Sequence, residues 1–181
     1  MARAVARALG FTYLDTGAMY RCVGLASLRG DYDVDALAIE VGERVTLDGE
    51  DVTDAIRTPE ASEAASRVAT DPAVRAALVR KQQALVSGGD WVAEGRDIAL
   101  VVAPDAEVKV FLTADPRERA RRRAEETGRT LDEVLEEQQD RDARDATGDR
   151  TVDAPAPGAT ALDTTGLSVD EVVRRIVEMA R

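Results

Sequence analysis

The sequence predicts an α/β protein in which helices flank a mostly parallel β-sheet. Short apolar runs alternate with helical segments, and no internal repeat is visible. Two of the apolar runs end in turns, at residues 14–21 and 92–97, and each turn carries an acid, a glycine and an arginine. Because ligands of parallel α/β folds bind beyond the carboxyl ends of the strands, these turns are the candidate functional elements.

Composition limits the possible function classes. The 181 residues, 44% of them hydrophobic, suffice for one globular domain with a small insert. The net charge of −11 argues against binding to nucleic acid polymers or anionic membranes. With Cys22 as the only cysteine and no histidine, the chain excludes an internal disulfide, Ser-His or Cys-His catalysis and the common zinc sites. It has no signal-peptide or membrane-span pattern, which predicts a soluble, cytoplasmic protein.

The N-terminal residues predict a helix, a strand and a second helix. Residues 2–9 favour a helix, and Gly10 is a suitable stop. Residues 11–14 favour a buried strand, and residues 18–28 return to helical periodicity. This order is the one that a phosphate-binding turn requires.

Residues 31–56 have a different pattern. Val45 and Leu47 alternate with polar residues, and Asp48-Gly49 is a strong hairpin signal. We therefore predict a small β-containing insert here, outside the main sheet.

Two helices and a strand follow the insert. Residues 59–69 and 72–86 favour helices, and residues 91–93 favour a short strand that leads into the second charged turn. The apolar positions predicted to share the packing face of the second helix are Val74, Leu78 and Leu85.

The C-terminal part alternates in the same way. Residues 108–112 give the clearest buried strand, and Asp115-Pro116 begins a very basic helix. A capping box at residues 130–133 opens a further helix. Residues 161–163 favour a last strand, and residues 168–171 cap the final helix.

Polar side chains collect where the predicted strands end. Asp15, Glu94 and Thr113 all occupy such ends, so we expect them at one edge of the sheet. Thr16 and Arg21 lie in the first turns of one helix and face the same cleft. Each also has a purely structural interpretation, which is a helix N-cap for Thr16 and a surface salt bridge for Arg21.

Two charged segments remain open to two interpretations. The turn at residues 94–97 either meets a ligand or contains an Arg96–Asp97 ion pair, because charges at a strand end lose solvation unless they are paired. The arginines within residues 117–123 form either an exposed helix paired with its own acids or a lid that closes over a transferring phosphoryl group. Three arginines of the following segment would complete such a lid: Arg141, Arg144 and Arg150.

In order and approximate spacing, five segments resemble the cytidylate kinase family of bacteria. They are LDTGAMYR at 14–21, GEDVT-x-x-IRTPE at 49–60, EGRDI at 94–98, PDA-x-x-K-x-FL at 104–112 and R-D-x-x-D at 141–145. Each motif is weak alone, but together they span nearly the whole chain and form a specific match.

The resemblance implies a P-loop NTPase-like fold in a single domain over residues 1–181. Within it, residues 31–58 would form the insert that binds the nucleoside monophosphate, and residues 115–150 an Arg-rich helical lid. The implied reaction moves the terminal phosphoryl group of ATP, as its Mg²⁺ complex, to CMP or dCMP. The expected partners are these small nucleotides, bound by a monomer.

The resemblance also implies residue roles. Ser66, Arg75 and Asp97 would recognise the cytosine base, since a carboxylate accepts from its amino group while arginine and serine donate to its ring acceptors. The other implied CMP-binding residues are Thr16, Arg21, Arg57, Arg96 and Asp145. The implied catalytic arginines are Arg122, Arg123, Arg141 and Arg150. No residue is assigned as a direct Mg²⁺ ligand, and Asp15 and Glu94 could reach the ion through water.

No G-x-x-x-x-G-K-[ST] phosphate-binding loop occurs in the sequence. We therefore expect the family's first strand and Walker A loop to be encoded upstream of Met1, beyond a mis-set start. Two alternatives stay open, a non-catalytic protein that retains CMP binding and a kinase for another nucleoside monophosphate.

Overall fold

The computed structural model describes the backbone of residues 1–146 and 154–181, and the side chains of residues 1–140 and 154–181. The chain divides into two units, residues 2–104 and residues 105–181, with Met1 grouped with the second. Each unit contains one pair of parallel strands flanked by helices, which confirms the predicted α/β class. Within the described residues the parallel strands therefore form two separate two-stranded sheets. The single domain stays a prediction.

The first unit begins with the predicted helix–strand–helix order. Helix α1 (Ala2–Leu9) ends at Gly10, whose φ of 75° is the left-handed conformation usual after a helix. Strand β1 (Thr12–Asp15) leads directly into helix α2 (Thr16–Arg29).

Strand β1 pairs in parallel with β5 (Trp91–Glu94), the strand that precedes the second charged turn. In this register Asp15 lies opposite Glu94. The two acids therefore leave the sheet at the same end, as the sequence predicts.

The predicted insert is an antiparallel sheet of three short strands. These are β2 (Ile39–Val41), β3 (Val45–Leu47) and β4 (Glu50–Asp51), paired in that order. Asp48 and Gly49 both have positive φ, 51° and 83°, which is the two-residue turn that joins right-twisted strands. The hairpin prediction is confirmed.

Helices α3 (Pro59–Val68) and α4 (Pro72–Val86) follow, and Thr58 and Asp71 cap them through their side chains. Helix α3 packs tightly against α2. A Cβ added to Gly24 would lie 2.6 Å from the backbone nitrogen of Ala65. Glycine at this position therefore fixes how closely the two helices approach.

The predicted packing face of α4 is partly wrong. Val74 and Leu78 are buried, but Leu85 is 36% exposed, one residue before the helix ends. Gln82 is buried instead, only 2% exposed, and its amide nitrogen has no hydrogen-bond partner within the described residues. A periodic apolar pattern does not show where the end of a helix extends beyond the residues that pack against it.

The second unit pairs β6 (Val110–Thr113) in parallel with β7 (Thr160–Asp163). Its helices are α5 (Pro116–Thr127), α6 (Leu131–Ala146) and α7 (Val169–Met179). The predicted capping boxes before α6 and α7 are both formed.

Strand β6 is less buried than its apolar sequence predicts, and Leu112 is 42% exposed. In the described residues β6 pairs only with β7, so one of its edges carries no ladder. None of the helices described is both long and apolar enough to cross a bilayer.

Candidate functional site

The turn after β1 is organised by one carboxylate. Asp15 has an extended backbone and caps α2, because its Oδ1 accepts a hydrogen bond of 2.9 Å from the amide of Ala18. Its Oδ2 accepts from Nη2 of Arg21, also at 2.9 Å. A Cβ on Gly17 would lie 3.1 Å from both Arg21 Nη1 and Asp15 Oδ1. The glycine thus leaves room for the ion pair to fold over the first turn.

Thr16 joins the two charged turns. It is the first residue of α2, so the alternative of a Thr16 N-cap is wrong, because Asp15 takes that position. The buried Oγ1 of Thr16 donates to the carbonyl of Glu94 at 2.7 Å. A Cβ on Gly95 would lie 2.3 Å from this oxygen, so a larger residue there would displace Thr16.

The second turn ends in a partly buried ion pair. Nη2 of Arg75, in the first turns of α4, lies 3.0 Å from Oδ2 of Asp97, and the two side chains are 25% and 18% exposed. Asp97 immediately precedes a π-helical turn over Ile98–Val102, a geometry frequent at functional sites. The buried Nε of Arg75 has no hydrogen-bond partner within the described residues. The Nε–H group of Arg75 is therefore a buried donor that the ion pair with Asp97 does not satisfy.

Of the other residues predicted to bind CMP, Ser66 is half-buried in α3 and Arg96 is exposed in the turn after β5. Arg57 is exposed at the end of the insert, where its Nε donates to the carbonyl of Thr53 at 3.2 Å. The described contacts bring Asp15 to Arg21 and Arg75 to Asp97.

Tyr13 and Arg3 belong to the same region, although the sequence analysis did not select them. The Tyr13 hydroxyl donates a short hydrogen bond to Oε1 of Glu94. Burial, and then this contact with an acid, raise the pKa of the phenol well above its usual value. The Arg3 guanidinium lies over the Tyr13 ring, 4.9 Å from its centroid. Tyr13 shares a strand face with Asp15, a signal that was present in the sequence.

A small cavity of about 20 Å³ lies among these side chains. The charged residues that line it are Arg3, Arg21, Arg57, Asp15 and Glu43. Its volume is enough for one or two water molecules. Cations outnumber acids on its wall, in a chain whose net charge is −11.

Asp15 and Glu94 leave adjacent strand ends but are already partnered, by Arg21 and Tyr13 respectively. Among the described side chains, no group of three or more potential ligands is placed to hold a metal. Magnesium is commonly held by one or two carboxylates and the phosphates of its nucleotide, and a role of this pair through water stays a prediction.

In the second unit, Arg122 is held by four acceptors. Its Nε donates to Glu118 at 2.9 Å, and its terminal nitrogens donate to Oγ1 of Thr164 at 3.1 Å and to the carbonyls of Thr164 and Leu167 at 2.7 and 3.4 Å. Hydrogen bonds from Arg121 and then Arg122 lower the pKa of Glu118 to about 2.

Other arginines of α5 also pair with acids of their own helix. Arg121 contacts Glu118 and Glu125, and Arg123 lies 3.4 Å from Glu126. The expectation of an exposed helix paired with its own acids is met for these residues. The lid roles stay predictions. The side chains of Arg141 and Asp145, and all of Arg150, lie outside the described residues.

A family model described as Cytidylate kinase matches residues 1–181. The cytidylate kinase of Pelotomaculum thermopropionicum is 46% identical over 198 aligned residues, which cover 98% of this chain and 88% of the relative. That of Caldanaerobacter subterraneus is 46% identical and covers 100% and 88%, and that of Solibacter usitatus is 44% identical and covers 100% and 86%.

Proposed function

This chain belongs to the cytidylate kinase family, whose members are nucleoside monophosphate kinases, and we propose that it transfers the terminal phosphoryl group of ATP to CMP or dCMP. The observation that carries the proposal is the Arg75–Asp97 pair beside the turn after β5, within the same unit as the Asp15–Arg21 pair. The Arg75–Asp97 pair offers both a donor and an acceptor, which suits a base, and the arginine of the Asp15–Arg21 pair suits a phosphate.

The base is read by the Arg75–Asp97 pair. The Asp97 carboxylate accepts from the amino group of cytosine, and Arg75 donates to the ring acceptors. The unpaired Nε of Arg75 supports this role, because a buried donor is costly unless a ligand satisfies it. Uracil presents a carbonyl where cytosine presents its amino group, so the Asp97 carboxylate repels it. Ser66 is the third proposed base contact.

The monophosphate is bound by Arg21 and Arg96, with Thr16 fixing the geometry between the two turns. Asp15 holds Arg21 in position before the substrate arrives. Arg57 joins from the end of the insert. Planar guanidinium groups bind phosphate oxygens in pairs, which makes arginine better suited than lysine to this site.

In the transfer step an ionised phosphate oxygen of CMP attacks the γ-phosphorus of ATP. The bond to the β–γ bridging oxygen breaks, and ADP leaves with that electron pair. No proton needs to move first, so the residues act by positioning and by charge stabilisation. Magnesium bound with ATP would neutralise negative charge on the phosphates, and Asp15 and Glu94 are the residues that would hold it through water.

Arg122, Arg123, Arg141 and Arg150 remain the proposed arginines of the transfer step. Asp145 remains a proposed CMP-binding residue. We place the enzyme in the cytoplasm as a monomer. Its partners are ATP, CMP and dCMP.

The test titrates the chain calorimetrically with CMP, dCMP, UMP and AMP, and measures ADP release with ATP and Mg²⁺. We expect CMP and dCMP to bind at least about tenfold more tightly than UMP, since discrimination by buried polar groups is large. Asp97→Asn should remove most of that preference. Asp90→Asn, an exposed residue just before β5, is the control and should change nothing.

Equal binding of UMP or AMP would refute the cytosine assignment and favour another monophosphate kinase. CMP binding without ADP release would retain the recognition site and refute phosphoryl transfer by this chain.

A further inference from the structure

The wall of the small cavity includes a cation that the reaction proposed above does not use. Arg3 on α1 lines it together with Arg21 and Arg57. We propose that Arg3 is a further phosphate-binding residue of the monophosphate site, in addition to Arg21, Arg57 and Arg96, and that Tyr13 holds it in place. This inference rests on the proposed function.

The Arg3 guanidinium is placed by an aromatic ring. Among the described residues it makes no ion pair with a carboxylate, and it lies over the face of the Tyr13 ring, 4.9 Å from the ring centroid. An aromatic face attracts a guanidinium group without using its N–H donors. The donors of Arg3 therefore stay available for an anion.

Tyr13 is itself fixed. Its ring is half-buried in β1, and its hydroxyl donates to Glu94 at the end of the neighbouring strand. The position of the Arg3 guanidinium is therefore restricted by a strand residue rather than by its own flexible stem, which lowers the entropy lost on binding.

Charge supports the same assignment. Three arginines and two acids, Asp15 and Glu43, line the cavity, and Asp15 is already paired with Arg21. The buried Nε of Arg21 has no hydrogen-bond partner within the described residues. A phosphate monoester, close to a dianion at neutral pH, meets unmatched donors here and repulsion from the chain's net charge of −11 elsewhere.

The insert forms one side of the cavity. Arg57 is exposed there, and Val41, Gly42, Glu43 and Val45 of the insert line the same side. Arg3 lies on α1 and Arg21 on α2, the helices before and after β1. They line the other side of the cavity and would contact the phosphate from there.

The test measures calorimetric affinities of CMP and cytidine for the wild type, Arg3→Gln, Arg3→Lys and Arg7→Gln. Arg7 is exposed on the same helix and supplies the matched control. We expect Arg3→Gln to weaken CMP by about tenfold and Arg3→Lys by less, because one charge-assisted contact contributes on that order. Cytidine binding should be unchanged in every variant, and inorganic phosphate should compete with CMP less well in Arg3→Gln.

An unchanged CMP affinity in Arg3→Gln would overturn the proposal. So would an equal loss for CMP and cytidine, which would mean a structural role, and thermal melting of each variant checks that the fold is kept. The base preference of the wild type is read separately from CMP, UMP and AMP. Loss of that preference would refute the proposed function, while the comparison of monophosphate with nucleoside still judges Arg3.

Discussion

The guanidinium of Arg75 is 3.0 Å from the carboxylate of Asp97, and the contact joins α4 to the turn after β5. The two residues are 22 positions apart, so the pair is a product of the fold. Its side chains are 25% and 18% exposed, whereas those of the Arg80–Asp35 pair, at 2.7 Å, are 60% and 65% exposed.

A double-mutant cycle on Arg75→Gln and Asp97→Asn should therefore give a coupling of about 1 kcal/mol in the free energy of unfolding by urea. The same cycle on Arg80→Gln and Asp35→Asn should give only a few tenths, because exposed pairs are screened. Equal couplings would show that the partial burial of the first pair has no energetic effect.

Gly95→Ala should damage the site through Thr16. The new methyl group would overlap Thr16 Oγ1 at 2.3 Å and the side chain of Ile98 at 2.9 Å. We expect a loss of about 1–3 kcal/mol of stability, as in other overpacked positions. CMP binding should weaken as well. Gly88→Ala is the matched control, since nothing lies within 4 Å of its added Cβ.

Arg122 and Arg123 are neighbours that should behave differently. Arg122→Met removes the charged donor to the carbonyl of the buried Thr164, which then keeps only the Leu167 amide at 3.1 Å, and should cost about 1.5–3 kcal/mol in the free energy of unfolding. Arg123→Met removes only an exposed contact with Glu126 and should cost less than about 0.5 kcal/mol. If Arg123 acts in transfer, its variant lowers kcat while stability is kept. Equal destabilisation by both would contradict this division.

Glu118 should make the stability of the chain depend on acid. In the folded state its pKa is about 2 instead of 4.5, because Arg121 and then Arg122 bind the ionised form. The lowered folded value means that this stabilisation is complete above pH 4.5 and is lost as the pH falls toward 2. The stability difference between the wild type and Glu118→Gln should shrink over that range in denaturant titrations. A difference independent of pH would contradict the assignment.

Cys22 should be inert in the native protein. It is completely buried in the core, and burial raises the pKa of its thiol to about 11. At mildly alkaline pH a disulfide reagent should react slowly with the folded chain and at once with the chain unfolded in guanidinium. Rapid reaction of the native protein would mean that α2 opens locally.

Local signals predicted much of the fold. The Asp48-Gly49 hairpin and the capping box at residues 130–133 depend on neighbouring residues, so the sequence alone is sufficient for them. Features that depend on tertiary packing could not be predicted in the same way. Gln82 is in the core although glutamine is polar, and Leu112 is exposed although leucine is apolar, in a strand that pairs with one other strand among the described residues.

The candidate site shows the same division. The two charged turns and their approach at neighbouring strand ends follow from the order of the strands. The stacking of Arg3 on Tyr13 does not, since it depends on how α1 lies against β1. A helix N-cap was the structural alternative for Thr16, because threonine suits that position, but Asp15 suits it better and leaves Thr16 to bind the next turn.

Asp15 uses its two oxygens separately, Oδ1 for the amide of Ala18 and Oδ2 for the guanidinium of Arg21. Because the cap does not involve Arg21, this arginine can exchange its carboxylate for an incoming oxyanion while α2 keeps its first turn. Ligand binding at this point then rearranges side-chain partners and leaves the secondary structure intact. The backbone at the start of α2 therefore keeps its conformation whether or not a charged ligand binds to Arg21.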